Sequence, residues 1–142
     1  NKSVTVGYRT AEELKMLIGT AIADGRNFMA DVRGRSTETG LPVEADVDSQ
    51  EIRTALEEPL DSIVHAVVSI LEKTPPELAA DIADHGIVLT GGGALLDGFD
   101  RLIARATGMA AYLCDTPLLS VANGAGKALA EMDRLKDSYY ES

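Results

Sequence analysis

The residues best suited to meet a ligand are three consecutive glycines, Gly91, Gly92 and Gly93. Ile87 to Thr90 read as a short buried strand just before them, and an apolar-periodic run from Ala94 onward reads as a helix. Glycine has no Cβ, so the backbone can take positive φ and a flat or anionic ligand can come close. Helix-start N–H groups can then face a phosphate or another polar group. The same turn can also serve packing alone. It is not a Walker A loop, since no Gly-Lys-Ser/Thr follows, and it is not the Gly-x-Gly-x-x-Gly fingerprint. Other reactive groups are sparse. His65 and His85 lie too far apart in sequence to suggest a metal cluster, and His65 falls on an expected helix surface. Cys114 is the lone cysteine and reads as a small buried filler rather than a nucleophile.

Bulk properties narrow the function classes. With 142 residues the chain has the size of one domain. Aromatic residues make up only 4%, so the core must be aliphatic. A net charge of -10 argues against nucleic acid as a partner and against adhesion to anionic lipid, but a nucleotide needs only a local site. No run approaches the length of apolar residues that spans a bilayer.

The elements that must position the glycines can be read in order. Residues 4 to 8 suggest a strand or extended lead-in. Thr10 and Glu13 have capping-box spacing, and a helix is expected to about Ala23, with Leu14, Leu17, Ile18, Ala21 and Ile22 as its apolar stripe. Glu12 and Lys15 sit three apart on the opposite face, the spacing of a surface ion pair. Residues 28 to 33 and 41 to 47 read as two strands of a hairpin, with Arg33 and Arg35 as solvated charge at its turn. Asp48 and Glu51 form a second capping box, before a helix that Pro59 should kink or divide. Its second half, 60 to 72, has a wide apolar face suited to a sheet. Thr74, Pro75 and Glu77 mark a third helix start, with His85 and Gly86 as its stop. After the glycines a helix runs to Gly108, residues 109 to 113 form a strand, and a helix from Leu118 to Leu135 precedes a polar tail. Gly124 and Gly126 within that helix suggest close helix-on-sheet packing or an opening onto the glycine crevice. The second half thus alternates helix and strand around a parallel pair, where ligands bind beyond the strands' carboxyl ends. Two strands make a small sheet. The rest comes from residues 4 to 8, from a partner, or lies outside the chain.

Five stretches carry a resemblance: Arg9 to Lys15, Val32 to Arg35, Thr74 to Ile82, Gly86 to Leu96 and Ser120 to Leu129. Together they resemble the bacterial actin homologues of the MreB/Mbl type, in order and over almost the whole chain. That family belongs with sugar kinases and Hsp70 ATPases, two-lobed proteins that hold ATP-Mg in the cleft between ribonuclease-H-like α/β lobes. The resemblance implies an α/β fold, part of an actin-like ATPase lobe with a small α+β insertion subdomain. Residues 1–50 correspond to the insertion subdomain IIB and residues 51–142 to the later part of core subdomain IIA.

The resemblance assigns roles residue by residue. Gly91, Gly92, Gly93 and Ala94 match the adenosine motif, and Glu12 and Lys15 match positions contacting the ribose and adenine edge. Gly124 and Gly126 match the second interlobe connection. No catalytic or metal-binding residue is assigned. The first lobe and the Asp-Ile-Gly-Gly-Gly phosphate loop, with the magnesium aspartate and the membrane-binding face, are expected outside this chain. Leu17 and Ala110 to Asp115 depart from the family pattern without touching the glycines. The implied function is that of an ATP-binding, filament-forming cytoskeletal protein that maintains rod shape by organising cell-wall synthesis. Its expected partners are other copies of itself and the wall-elongation machinery, in the cytoplasm at the membrane. The full-length protein is expected to be a slow ATPase using ATP or ADP with Mg, and this chain alone to bind nucleotide weakly or not at all. The alternative is a standalone nucleotide-binding or adaptor domain of the same superfamily.

Overall fold

In the computed structural model, which describes residues 3–132 and 134, the chain builds two separate sheets and five helices among the described residues. The first sheet has the order β1-β2-β3: β1 is Val4–Thr5, β2 Met29–Ser36 and β3 Pro42–Asp48, all antiparallel. β1 pairs here and not with the later strands, so residues 4 to 8 do not extend the parallel pair. β2 and β3 form the expected hairpin, but β2 continues through Ser36 and the turn shrinks to the stretch after it. Arg35 is therefore a strand residue, opposite Pro42, and Arg33 pairs across the ladder with Glu44 at 2.6 Å. Gly34 lies inside the strand because β1 crosses it closely: a Cβ there would stand 2.5 Å from the Thr5 carbonyl oxygen.

Helix α1, Tyr8–Ile18, differs from expectation at both ends. Its N-cap is Gly7, whose carbonyl accepts from the Ala11 N–H at 3.0 Å. Thr10 lies within the first turn and caps nothing, while Glu13 pairs with Arg9 at 3.0 Å. The helix stops at Ile18 because Gly19 turns extended and Thr20 forms a parallel bridge to Asp97. Ala21 and Ile22 continue the apolar periodicity but belong to a different packing cluster. Leu17 is 65% exposed, outside the stripe formed by Leu14 and Ile18.

Helix α2, Ser49–Lys73, is one continuous helix with Pro59 inside it. The Asp48–Glu51 capping box is present in both directions, with the Glu51 N–H donating to Asp48 Oδ1 at 2.8 Å. Helix α3, Pro76–His85, starts later than Thr74 suggested, because Thr74 is the C-cap of α2 and its hydroxyl donates to the Ile70 carbonyl. Gly86, at φ +82°, ends α3.

Strands β4, Ile87–Leu89, and β5, Ala111–Leu113, form the expected parallel pair. Between them run a short 3-10 turn, Gly92–Leu95, and helix α4, Phe99–Thr107. One cluster gathers Ala21, Ile22, Leu60, Ala94, Phe99 and Ile103, flanked by Leu56, Val64, Val67, Ile87 and Leu89. Leu60, Val64 and Val67 of α2 thus share one apolar cluster with α4 and with Ile87 and Leu89 of β4. Within it α2 packs mainly against α4 rather than the parallel strands, while Val88 on the other side of β4 is 50% exposed. A smaller cluster of Leu14, Ile18 and Val32 joins α1 to the first sheet. Helix α5, Ser120–Ala130, has no buried residue. Its expected end at Leu135 and the polar tail lie outside the described residues.

Candidate functional site

The glycine turn is built from both parallel strands. β4 delivers Gly91 at φ +86°, a conformation that only glycine takes without strain. The Gly91 N–H donates to the Pro117 carbonyl at 2.8 Å, so the segment after β5 clips the turn in place. Gly92–Leu95 then forms the 3-10 turn, closed by Ala94 N–H to Gly91 O and Leu96 N–H to Gly93 O, both 3.2 Å. The expected α-helix does not begin at the glycines. It begins at Phe99, after Gly98 at φ +73°, because Leu96 and Asp97 are used to meet the end of α1. What the turn offers is accessible, Cβ-free backbone. A Cβ at Gly91 or Gly93 would meet nothing within 4 Å, and one at Gly92 only Leu118, at 3.5 Å. Ala94 is 8% exposed, so its side chain anchors the turn in the core and only its backbone can face a ligand.

Glu12 and Lys15 form an ion pair at 2.6 Å on α1, with side chains 40% and 35% exposed. Both stand on the rim of an open cavity of about 830 Å³ between α1, the first sheet and the start of α2. Its walls are mainly apolar, Val6, Val32, Val47 and Ile52 among them, and none of Gly91 to Ala94 lines it. The structure does not bring Glu12 and Lys15 into contact with Gly91 to Ala94; the elements that carry them are joined where the chain after α1 meets the end of the glycine turn. There a Cβ on Gly19 would stand 3.2 Å from Leu96 Cδ1, and the Ala21 N–H donates to the Asp97 carbonyl at 2.8 Å. Gly124 and Gly126 lie on exposed α5, and a Cβ on either would meet nothing within 4 Å. Helix-on-sheet packing therefore does not explain them.

The joint holds polar groups that the sequence pattern did not single out. Thr20 is fully buried, and its hydroxyl donates to Asp97 Oδ2 at 2.8 Å. The same oxygen accepts the Arg26 N–H at 2.9 Å. The Asp97 carboxyl is held below the usual carboxylate range by the Arg26 N–H first; burial, the next largest effect, opposes this, and the Thr20 hydroxyl and the charges of Arg26 and Arg101 add to the lowering. The Arg26 guanidinium turns back to α1 and donates to the Gly19 and Met16 carbonyls at 2.8 and 3.0 Å. A second tie is the fork of Arg105 on Asp24, at 2.8 and 2.7 Å, which lowers Asp24 from 3.8 to about 2 and raises Arg105. Asp24-Gly25 reads locally as a helix stop and Asp97 falls inside the helix expected after the glycines, so no short-range signal reports that the two regions meet.

Among the described residues no three His, Cys, Asp or Glu side chains gather into a cluster that could hold a metal ion. Cys114 is half-buried, its Sγ 3.1 Å from the Ser120 hydroxyl. His65 is exposed on α2. No helix among the described residues is long and apolar enough to cross a membrane.

Comparison with known proteins gives a consistent result. Residues 1–137 match the family model described as MreB/Mbl protein. The chain is 43% identical over 130 residues to the cell shape-determining protein Mbl of Bacillus subtilis (strain 168), covering 92% of this chain and 39% of that protein. It is 46% identical over 133 residues to the cell shape-determining protein MreB of Escherichia coli (strain K12), covering 94% and 38%. The fold superposes on MreB5 of Spiroplasma citri bound to AMPPNP with a TM-score of 0.87 and 31% identity, over 96% of this chain and 41% of that one. The ADP-bound structure of MreB5 gives the same TM-score, 0.87. The chain thus spans about two-fifths of the length of the relatives it matches.

Proposed function

The chain belongs to the MreB/Mbl family of cell shape-determining proteins and has their actin-like α/β fold, and from that premise we propose that it forms the adenosine side of an ATP cleft. The observation that carries this reading is the joint at Gly19–Thr20 and Leu96–Asp97, which ties the helix bearing Glu12 and Lys15 to the turn bearing Gly91 to Ala94. The residues fit the group. Open, Cβ-free backbone at Gly91 to Gly93 suits a flat nucleoside lying along the chain. The part-exposed Lys15 and Glu12 supply a donor and an acceptor for a ribose or a base edge. That MreB5 is seen with AMPPNP and with ADP supports nucleotide as the ligand class.

Residues 1–50 then act as the insertion subdomain and residues 51–142 as the later part of the core subdomain, with Ala21 and Ile22 reaching from the first into the second's packing cluster. In the whole protein, ATP or ADP would be held with Mg, whose ligands lie outside this chain. That protein self-associates into filaments in the cytoplasm, meets the membrane through its other lobe and organises wall synthesis to keep cells rod-shaped. Hydrolysis requires a metal ion and a positioned water, so this chain alone contributes binding surface and no catalytic group.

The test is titration of ATP-Mg against the full-length protein carrying Lys15→Ala or Gly92→Val. Gly92 has no positive φ and its Cβ position is nearly open, so the valine should fold normally and stand in the ligand's space. Both variants should bind more weakly, by about tenfold or more. Unchanged affinity in both refutes the assignment.

A further inference from the structure

We infer that Asp97 is a positioning residue for the adenosine side of the cleft, setting the angle between α1 and the glycine turn. The inference rests on the nucleotide reading above and adds a residue that makes no direct contact with the proposed ligand surface. The carboxylate lies four positions beyond Gly93, directly after Leu96, whose N–H closes the 3-10 turn on the Gly93 carbonyl. On its other side it holds two groups from the loop after α1: the buried Thr20 hydroxyl at 2.8 Å and the Arg26 N–H at 2.9 Å. Arg26 passes the constraint on, because its guanidinium binds the Met16 and Gly19 carbonyls that end α1. Lys15 lies in that last turn, and its own carbonyl accepts the Gly19 N–H at 2.9 Å. Hydrogen bonds joined by the covalent chain at Leu96–Asp97 and through the Arg26 side chain therefore link the glycine turn to the Lys15 end of α1.

The packing leaves this arrangement little freedom. A Cβ on Gly25 would collide with the Thr20 hydroxyl and come within 2.7 Å of Asp97 Oδ2. Arg101 approaches the outer carboxylate oxygen at 4.0 Å. Thr20 is fully buried, so without the carboxylate its hydroxyl loses its shortest partner in a place water does not reach. A ligand held between two elements is sensitive to their mutual placement at the scale of an ångström.

The experiment compares ADP with inorganic pyrophosphate, which has neither base nor ribose, on the full-length protein. Asp97→Ala should weaken ADP about tenfold, the size of one charge-assisted hydrogen bond, and leave pyrophosphate unchanged. Asp97→Asn keeps the shape and an acceptor oxygen, so it should recover most of the ADP affinity. Amide exchange over residues 16 to 26 should quicken in Asp97→Ala and not in Asp97→Asn. A purely structural role would weaken both ligands together, and that result overturns the inference. So does unchanged ADP binding in Asp97→Ala while Lys15→Ala weakens it, which leaves the nucleotide reading standing. Wild-type protein that binds no ADP overturns both.

Discussion

Replacing Gly98 with alanine tests how the joint is built. Gly98 sits at φ +73°, ψ 5°, the left-handed region, which costs a residue with a Cβ about 1–2 kcal/mol. The new methyl would also stand 2.6 Å from Ile22 Cγ1 and 2.7 Å from its Cδ1, where carbon atoms prefer about 3.5–4.0 Å. Ile22 is 4% exposed in the larger cluster and cannot swing into solvent, so crowding adds about 1–3 kcal/mol. Gly98→Ala should therefore destabilise by about 2–5 kcal/mol. The two contributions separate in an Ile22→Ala background. That change removes both colliding carbons and leaves Ile22 Cβ at 3.6 Å, an ordinary contact. There Gly98→Ala should cost only the backbone part, about 1–2 kcal/mol. Urea unfolding of the four proteins, compared at a common slope, gives the coupling energy directly. Equal cost of Gly98→Ala in both backgrounds would refute the close packing of Ile22 on the turn. A cost below about 0.5 kcal/mol in the wild-type background would refute the left-handed backbone as well.

Two further outcomes concern caps and pH. Asp48→Ala should cost about 0.5–2 kcal/mol by removing the capping box of α2. Thr10→Ala should instead change stability by less than about 0.7 kcal/mol, since Thr10 lies inside α1 and caps nothing, and equal losses in urea unfolding would contradict the start of α1 at Tyr8. Asp24, lowered from 3.8 to about 2 by Arg105, contributes stability that is complete above 3.8 and is lost as pH falls toward 2. Arg105→Gln should flatten that part of the pH–stability curve, and a curve unchanged by the substitution would show that the fork contributes nothing. Both side chains are more than half exposed, so the change should be small and weaken further in salt.

Features governed by near neighbours were readable before the fold was seen. The Asp48–Glu51 box needs only two side chains three positions apart, and the stops at Gly86 and Gly108 need only a residue that tolerates positive φ. The hairpin and the parallel pair followed from alternation and spacing, although the hairpin turn came out shorter than its polar composition suggested. Where two local signals competed, contacts decided. Thr10-Ala11-Glu12-Glu13 has the spacing of a cap, yet the Gly7 carbonyl and the Arg9–Glu13 pair start the helix earlier. Pro59 left one kinked helix or two helices open, and the packing of Leu56, Leu60 and Val64 on the core accompanies the single helix.

The amino-acid sequence alone determined the family, the order of helices and strands, and the place of Gly91 to Gly93 at a strand's carboxyl end. These rest on local pattern, and the pattern of this family is carried along nearly the whole chain. Only the tertiary structure decided that α1 ends at Ile18, that a 3-10 turn and not a helix follows the glycines, and that Asp97 holds Thr20 and Arg26. Each of these is set by a partner far along the chain, 77 residues in the case of Thr20 and Asp97. Helical periodicity runs unbroken through Ala21 and Ile22, so nothing within a few residues distinguishes a longer helix from a chain that leaves α1 to join another core. The buried hydroxyl and the carboxylate settle the matter, because in the folded protein each satisfies the other.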